Sequence, residues 1–375
     1  MRSAGLPQAS TATLAGSAAH AMAGAGAQHP RDVLLGAQGA AGVLPVCDHY
    51  SGVEARMLKS LQLQAEMTEE FGACVFDVTL DCEDGAPVGG EDDHANMVVA
   101  IANAAQAAPN LIAKSLRRRI GVRVHAVDHA EFAADVHTVV GLAGASLSYL
   151  MVPKVESVWD VDRAVAAMDA ATAPGVARLP LHVLIESPAA VHRAFEIAGH
   201  PRVQSISFGL MDFVSSHGGA IPSSAMGVRS VDDSTTLDQF HHPLVLRAKV
   251  DIASACHAYG KVPSHCVVTE FKDKAALQRA ARTASLALGY TRMWSIHPDQ
   301  IRPIVEALAP DAEEVALAAH IVQEAQRAEW APISVDGKLH DRASYRYFWQ
   351  VLERAHQTGR ALPPAVLSYF SPGLH

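Results

Sequence analysis

Short apolar runs alternate with amphipathic segments along most of this chain, and this alternation limits the possible folds more than any other feature. We predict eight strands, near Val43–Cys47, Val75–Leu80, Gly121–His125, Tyr149–Pro153, His182–Glu186, Ser205–Gly209, Val262–Val267 and Arg292–Ile296. Segments with helical spacing lie between them, among them Glu54–Phe71, Asp160–Ala170, Leu244–Tyr259 and Lys274–Leu288. Eight such units predict an α/β fold, a (β/α)8 TIM barrel. An open doubly wound sheet is the alternative, but no Gly-rich phosphate turn follows the first strand.

The chain divides into three predicted parts. Residues 1–40 are rich in Ala, Gly and Ser, so we expect a disordered tail or a translation start placed too early. Residues 41–310 would form the barrel. Residues 311–375 would form a C-terminal helical extension, with helical spacing in Asp311–Gln326 and Ala343–Ala355. This extension has to bury its apolar side, either on its own barrel or on a neighbouring subunit.

Composition excludes several classes of partner. The net charge is -9 and there is no long basic run, which argues against nucleic acid or an anionic membrane as the main partner. No apolar run reaches the roughly 18 residues of a membrane span. The five cysteines form no C-x-x-C pair, as is typical of reduced thiols in the cytoplasm. We therefore predict a cytoplasmic protein.

Two carboxylates, Glu186 and Asp212, each follow an apolar run, with a helix between the runs. Ser187 suits the N-cap of this helix, Pro188 suits its first position, and its apolar spacing continues to Gly199. A strand, a helix and a strand form a βαβ unit, whose parallel strands end on the same side of the sheet. Two negative charges at such a short distance repel each other unless a cation lies between them. Mg²⁺ is commonly held by one or two carboxylates. Two ordinary helix-capping acids are the alternative interpretation.

Charged residues also follow the other predicted strands. They include Asp81, Glu83, Asp84, Arg123, His125, Lys154 and Glu156. Catalytic groups of a TIM barrel gather at the C-terminal ends of its strands, so these side chains predict a polar, metal-binding mouth. Each residue by itself could equally be part of a structural ion pair.

Seven short segments carry a family resemblance. They are Asp81–Pro87, Arg123–His125, Pro153–Ser157, Ile185–Ser187, Phe208–Phe213, Ser295–Gln300 and Asp336–Asp341. In this order they resemble the motifs D-L-E-D-A-V, R-V-N, P-K-V-E-S, I-E-T, F-G-x-x-D-L, C-I-H-P-x-Q and D-G-K-M-I-D. These motifs are those of the citrate lyase β-subunit/malyl-CoA lyase group within the HpcH/HpaI aldolase superfamily. The resemblance spans roughly residues 43 to 356.

The resemblance implies a role for each matched residue. Glu186 and Asp212 would be ligands of Mg²⁺. The implied catalytic residues are Arg123, Glu83, Asp84 and Asp341, and the implied substrate-binding residues are Arg123, Asp81, Lys154 and His125. Asp341 would act as the acid/base and is donated by a neighbouring subunit in several relatives. A homo-oligomer, either a trimer or a hexamer, is therefore expected.

The implied function is a Mg²⁺-dependent carbon–carbon lyase that acts through an enolate on a β-hydroxy acid or its acyl-CoA ester. The acidic run Glu91-Asp92-Asp93 stands where relatives that bind coenzyme A carry cations, so a free acid is as open as a thioester. A malyl-CoA-type thioesterase is a second hypothesis. A non-catalytic acyl-binding barrel is the third, and it would be expected to lack one of the two metal ligands.

Overall fold

A closed barrel of parallel strands forms the centre of the computed structural model, which describes residues 29–36, 43–107 and 118–370. Within these residues, eight strands pair in chain order and the last pairs with the first. The strands are β1 (Cys47–Ser51), β2 (Phe76–Asp81), β3 (Ile120–Arg123), β4 (Tyr149–Val152), β5 (Leu181–Ile185), β6 (Val203–Phe208), β7 (Val262–His265) and β8 (Arg292–Ser295). The predicted TIM barrel is confirmed.

Helices surround this barrel and continue beyond it. They are α1 (Pro30–Leu35), α2 (Glu54–Phe71), α3 (Glu91–Ala107), α4 (Phe132–Ala143), α5 (Val158–Ala171), α6 (Pro188–His192), α7 (Ala194–Gly199), α8 (Leu210–Ser215), α9 (Pro243–Ala258), α10 (Lys274–Leu288), α11 (Pro298–Leu308), α12 (Ala312–Arg327) and α13 (Arg342–Gln357). An antiparallel hairpin of β9 (Ile333–Val335) and β10 (Lys338–His340) connects the last two. In the described part of the chain, no helix is long and apolar enough to span a membrane.

Two predicted elements differ from the structure. The first strand begins at Cys47, four residues after the predicted start at Val43. Its residues include polar side chains that are buried inside the barrel, and a search for apolar runs does not detect them. The single helix predicted after Ser187 is divided into α6 and α7 at Arg193, whose backbone angles (φ -98°, ψ 10°) leave the helical region. Ser187 caps α6 as expected, since its hydroxyl accepts a hydrogen bond from the Ala190 amide (3.0 Å).

The C-terminal helices have a hydrophobic core of their own, separate from that of the barrel. Val322 on α12 and Leu352 and Trp349 on α13 are buried in it, and Leu34 of α1 joins them. Part of the predicted disordered tail, residues 30–35, is thus an ordered helix. Residues 1–28 and 37–40 of that tail lie outside the described residues. The segment also contacts its own barrel, where the Gln357 side-chain amide donates to the Leu44 carbonyl (2.8 Å). Packing on a neighbouring subunit stays a prediction.

Charged side chains occupy the interior of the barrel near the starts of the strands. Arg292 of β8 is fully buried, and its Nη1 donates to Asp77 Oδ2 (2.6 Å). Its Nη2 lies 3.0 Å from Asp48 Oδ2, although without the alignment of a hydrogen bond. Burial raises the pKa of Asp48, an effect that Arg292 opposes. Asp77 also pairs with Arg119 Nε (2.7 Å), whereas Arg292 is the one counter-charge of Asp48 among the described residues.

We expect Arg292→Met to destabilise the barrel strongly, because it leaves Asp48 buried without a counter-charge, while Asp77 keeps Arg119. Loss of one partner of a buried ion pair typically costs about 3–5 kcal/mol, which urea unfolding would measure. Arg302→Met is the matched control, since it removes an exposed ion pair with Glu70 (2.6 Å) and should change stability far less. Equal losses for the two variants would show that the interior charges are not coupled.

Candidate active site

Glu186 directly follows β5 and is almost fully buried at the mouth of the barrel, with 6% of its surface exposed. Its Oε2 atom has no hydrogen-bond partner among the described residues. Burial, together with the negative charges of Asp212 and Glu83, raises the pKa of Glu186 to about 8, although Arg123 and Lys154 oppose the effect. Buried polar atoms normally have a partner, and a bound cation would provide one for this carboxylate oxygen.

Asp212 lies beside Glu186 because β5 and β6 are paired in parallel. Ile185 pairs with Phe208 at the ends of these strands, and α8 then begins two residues later with Asp212 in its first turn. Both carboxylates line one pocket of about 440 Å³, which opens at the C-terminal ends of the strands. The structure therefore brings the two predicted metal ligands together.

The donor set of this pocket fits Mg²⁺. Glu186 and Asp212 provide two carboxylates, and the described part of the chain has no group of three or more His, Cys, Asp or Glu residues placed to hold a metal. Mg²⁺ is usually bound by one or two carboxylates and keeps several waters, whereas structural Zn²⁺ requires four protein ligands. The orphaned oxygen of Glu186 supports the same assignment.

Gly209 makes the room in which the Glu186 side chain lies. Its amide donates to the Ile185 carbonyl (2.9 Å), which fixes the backbone of β6 next to Glu186. A Cβ atom on residue 209 would lie 2.5 Å from Glu186 Cγ and 2.7 Å from its Oε1. Any larger residue would therefore displace the carboxylate, a requirement that sequence reasoning missed.

We expect Gly209→Ala to weaken Mg²⁺ binding more than tenfold while the protein stays folded, because the new methyl group displaces Glu186. Isothermal titration with MgCl₂ would measure the affinity, and circular dichroism would report the fold. Gly141→Ala is the control, since its nearest contact to an added Cβ is an ordinary 3.6 Å to the Ala171 carbonyl oxygen. Unchanged affinity in Gly209→Ala would contradict the assignment of Glu186 as a ligand.

Arg123, at the end of β3, is held by three carboxylates. Its Nε donates to Asp81 (2.6 Å), its Nη1 lies 2.9 Å from Glu83, and its Nη2 donates to Asp84 (2.9 Å). The Tyr50 hydroxyl accepts from the same guanidinium (3.0 Å), and the Tyr50 ring lies 4.7 Å below it. Tyr50 was missed from sequence, because the predicted first strand ended before it.

Glu83 connects this cluster to the pocket. It accepts a hydrogen bond from Lys154 Nζ (2.6 Å), and Lys154 lines the pocket together with Glu186 and Asp212. Lys154 has a positive φ of 52°, a strained conformation that often occurs at functional sites. Five of the predicted site residues around the pair, among them Asp81 and Arg123, are therefore linked around one mouth.

His125 faces away from these groups. Its Nδ1 donates to Asp135 of α4 (2.7 Å), its backbone amide donates to the same carboxylate (3.0 Å), and its ring stacks on His129 at 4.2 Å. The residues after it, Ala126 and Val127, line the pocket, but His125 is not among the described lining residues. Its predicted role in substrate binding stays a prediction.

Asp341 is not brought to the mouth of its own barrel. It is the N-cap of α13, where its side chain accepts from the Ala343 amide (2.9 Å). The other end of α13, at Gln357, contacts the starts of the strands, which is the face opposite the mouth. The 16 residues of α13 span roughly 24 Å.

A family model described as HpcH/HpaI aldolase/citrate lyase matches residues 57–298. The chain belongs to this family. An L-malyl-CoA/beta-methylmalyl-CoA lyase of Rhodobacter capsulatus is 30% identical over 252 residues, covering 63% of this chain and 76% of that protein. A malyl-CoA/beta-methylmalyl-CoA/citramalyl-CoA lyase of Chloroflexus aurantiacus is 27% identical over 267 residues, covering 66% and 74%. The predicted family and enzyme class, a carbon–carbon lyase, are confirmed.

Solved structures show the same fold in other members. The crystal structure of a citrate lyase from Burkholderia xenovorans LB400 is 44% identical, covers 92% of this chain and all of that one (100%), and gives a TM-score of 0.72. The CitE protein of Mycobacterium tuberculosis, solved with magnesium, acetoacetate and coenzyme A, is 22% identical with a TM-score of 0.58. It covers 84% of this chain and 98% of that one, and it has the same barrel fold.

Proposed function

We propose that the protein is a Mg²⁺-dependent carbon–carbon lyase that cleaves or forms a β-hydroxy acid or its acyl-CoA ester through an enolate. The observation that carries this proposal is the buried, unpartnered oxygen of Glu186 beside Asp212 at the mouth of the barrel. The relatives named malyl-CoA lyases support acyl-CoA as the substrate class. The M. tuberculosis protein crystallised with magnesium supports the metal.

Glu186 and Asp212 would hold the metal, and their role is to supply two negative charges at a fixed distance from the substrate. When bound, Mg²⁺ would supply Lewis-acid stabilisation of the developing enolate charge. Lys154 is half exposed in the same pocket and could pair with a substrate carboxylate, since Glu83 occupies only one side of its ammonium group. Arg123 contributes positive potential from a position fixed by its carboxylates.

The remaining chemical requirement is a group that moves a proton at the substrate hydroxyl or at the enolate carbon. Asp341 of the same chain caps α13 and does not line the pocket of the mouth, so we propose that Asp341 of a neighbouring subunit enters the mouth. This arrangement requires a homo-oligomer, for which a trimer or hexamer remains our expectation. A cytoplasmic location likewise remains our expectation.

We expect Glu186→Ala and Asp212→Ala each to lower kcat/KM on the order of 10³-fold, because each removes a metal ligand worth several kcal/mol. EDTA should abolish the activity of the unaltered protein, and added Mg²⁺ should restore it. Asp128→Asn is the control, since Asp128 lines the same pocket but, among the described residues, pairs only with exposed Arg163 (2.7 Å). Full activity in either alanine variant would overturn the ligand assignment.

The assay should follow both products of malate-, citramalate- and hydroxymethylglutarate-type substrates, free and as CoA esters. A lyase releases a keto acid or an aldehyde acid together with an acyl fragment. A thioesterase releases free CoA and the intact hydroxy acid, so that product pattern would contradict cleavage of the carbon–carbon bond. Substrates without CoA test whether the acidic start of α3 excludes the thioester.

We expect Asp341→Ala and Glu186→Ala to be inactive separately and to regain activity when their subunits are mixed. A mixed oligomer can place an intact Asp341 beside an intact metal pair, because the two groups come from different chains. Mixing Glu186→Ala with Asp212→Ala is the control and should restore nothing, since both residues belong to one mouth. Absence of recovery in verified mixed oligomers would exclude donation between subunits.

A further inference from the structure

A second cavity lies at the end of the barrel opposite the mouth. It has a volume of about 340 Å³ and is lined by α1, by α13 and by residues at the starts of three strands. Leu44 precedes β1, Val262 begins β7, and Thr291 precedes β8. Because parallel strands all run in one direction, this cavity is separated from Glu186 and Asp212 by the length of the barrel.

Cationic side chains outnumber carboxylates in this cavity. Arg31, Lys261 and Arg354 line it, and Glu353 is the one carboxylate among its described lining residues. Glu353 Oε1 lies 3.4 Å from Arg31 Nε, but that buried nitrogen makes no hydrogen bond within the described residues. The cavity therefore carries an excess of positive charge.

The Arg354 guanidinium and the Lys261 ammonium group account for this excess. Neither has a hydrogen bond or a close ion pair with any described side chain. Burial lowers the pKa of both groups, and it is opposed by Glu314 and Tyr347 for Arg354 and by Cys256 for Lys261, none of them within ion-pair distance among the described residues. Partly buried cations without a counter-charge are unfavourable, so this cavity is incomplete without an anion.

We propose that this cavity binds a small organic anion, with its carboxylate or phosphate group between Arg354 and Lys261. A guanidinium can donate two parallel hydrogen bonds to either group. Leu44 and Val262 form an apolar wall that suits a short hydrocarbon body. The volume lies at the lower end of the range of about 300–1,000 Å³ that is usual for small-molecule sites.

The bound anion would connect the C-terminal helices to the barrel. Arg354 belongs to α13, whereas Lys261 directly precedes β7, so an anion between them adds a contact beside the hydrogen bond from Gln357 to Leu44. A ligand that binds only the folded protein raises its melting temperature. Occupancy should therefore stabilise the packing of the C-terminal helices on the barrel without contact with the mouth.

Isothermal titration of the full chain with inorganic phosphate and, separately, with glutarate tests the proposal, in EDTA and at an ionic strength matched with chloride. We expect at least one anion to bind and to raise the melting temperature, and the better probe identifies phosphate or carboxylate as the preferred group. Arg354→Gln and Lys261→Gln should each weaken binding at least tenfold. No binding beyond that of chloride would overturn the proposal.

Two control variants locate the site. Arg302→Gln removes an exposed guanidinium paired with Glu70, and Lys154→Gln removes the cation of the mouth; both should bind the anion normally. Loss of binding in Lys154→Gln, with normal binding in Lys261→Gln, would place the anion in the mouth and overturn the proposal. If Arg354→Gln does not fold, Lys261→Gln decides. Lys261→Gln should retain Mg²⁺-dependent activity, so this test is independent of the lyase assay.

Discussion

Electrostatic repulsion between Glu186 and Asp212 is the interaction on which the arrangement of the mouth depends. The parallel pairing of β5 with β6 forces the two carboxylates into one pocket, and Gly209 lets the first of them fold down against the strand. Burial then keeps the pKa of Glu186 near 8. Such a site is unfavourable when empty of positive charge, and this is the property that makes it a good site for a divalent cation.

The surrounding charges reduce the repulsion between Glu186 and Asp212 but do not cancel it. Arg123 is bound by three carboxylates, so most of its charge is already balanced before a ligand arrives. The fixed position of Arg123 matters more than its net charge, because a guanidinium that is already held by hydrogen bonds does not need to be ordered during the reaction. Lys154 remains the more adaptable cation, with about half of its side chain exposed. The mouth therefore combines one fixed positive group with one that can reorient toward a substrate.

The barrel could be predicted from sequence because its signals are local. The α2 helix begins and ends at the predicted residues, since Gly72 adopts the left-handed conformation that ends it. The first strand was placed too early because its polar residue His49 pairs with Ser295, which is 246 positions away in the chain. Tyr50 was missed for the same reason. The family motif predicts an acid/base role for Asp341. It cannot predict whether Asp341 reaches the mouth of its own barrel or that of a neighbouring subunit, because that depends on the assembly.

Helix α1 packs with the C-terminal helices to form one unit. Leu34 is buried with residues of α12 and α13, in a core that shares no residue with the core of the barrel. Two separate cores make two cooperative units, so the terminal unit can open while the barrel stays intact. Thermal unfolding of this protein should then follow two stages, and a protease acting on the first opened unit would leave a barrel that has lost both of its ends.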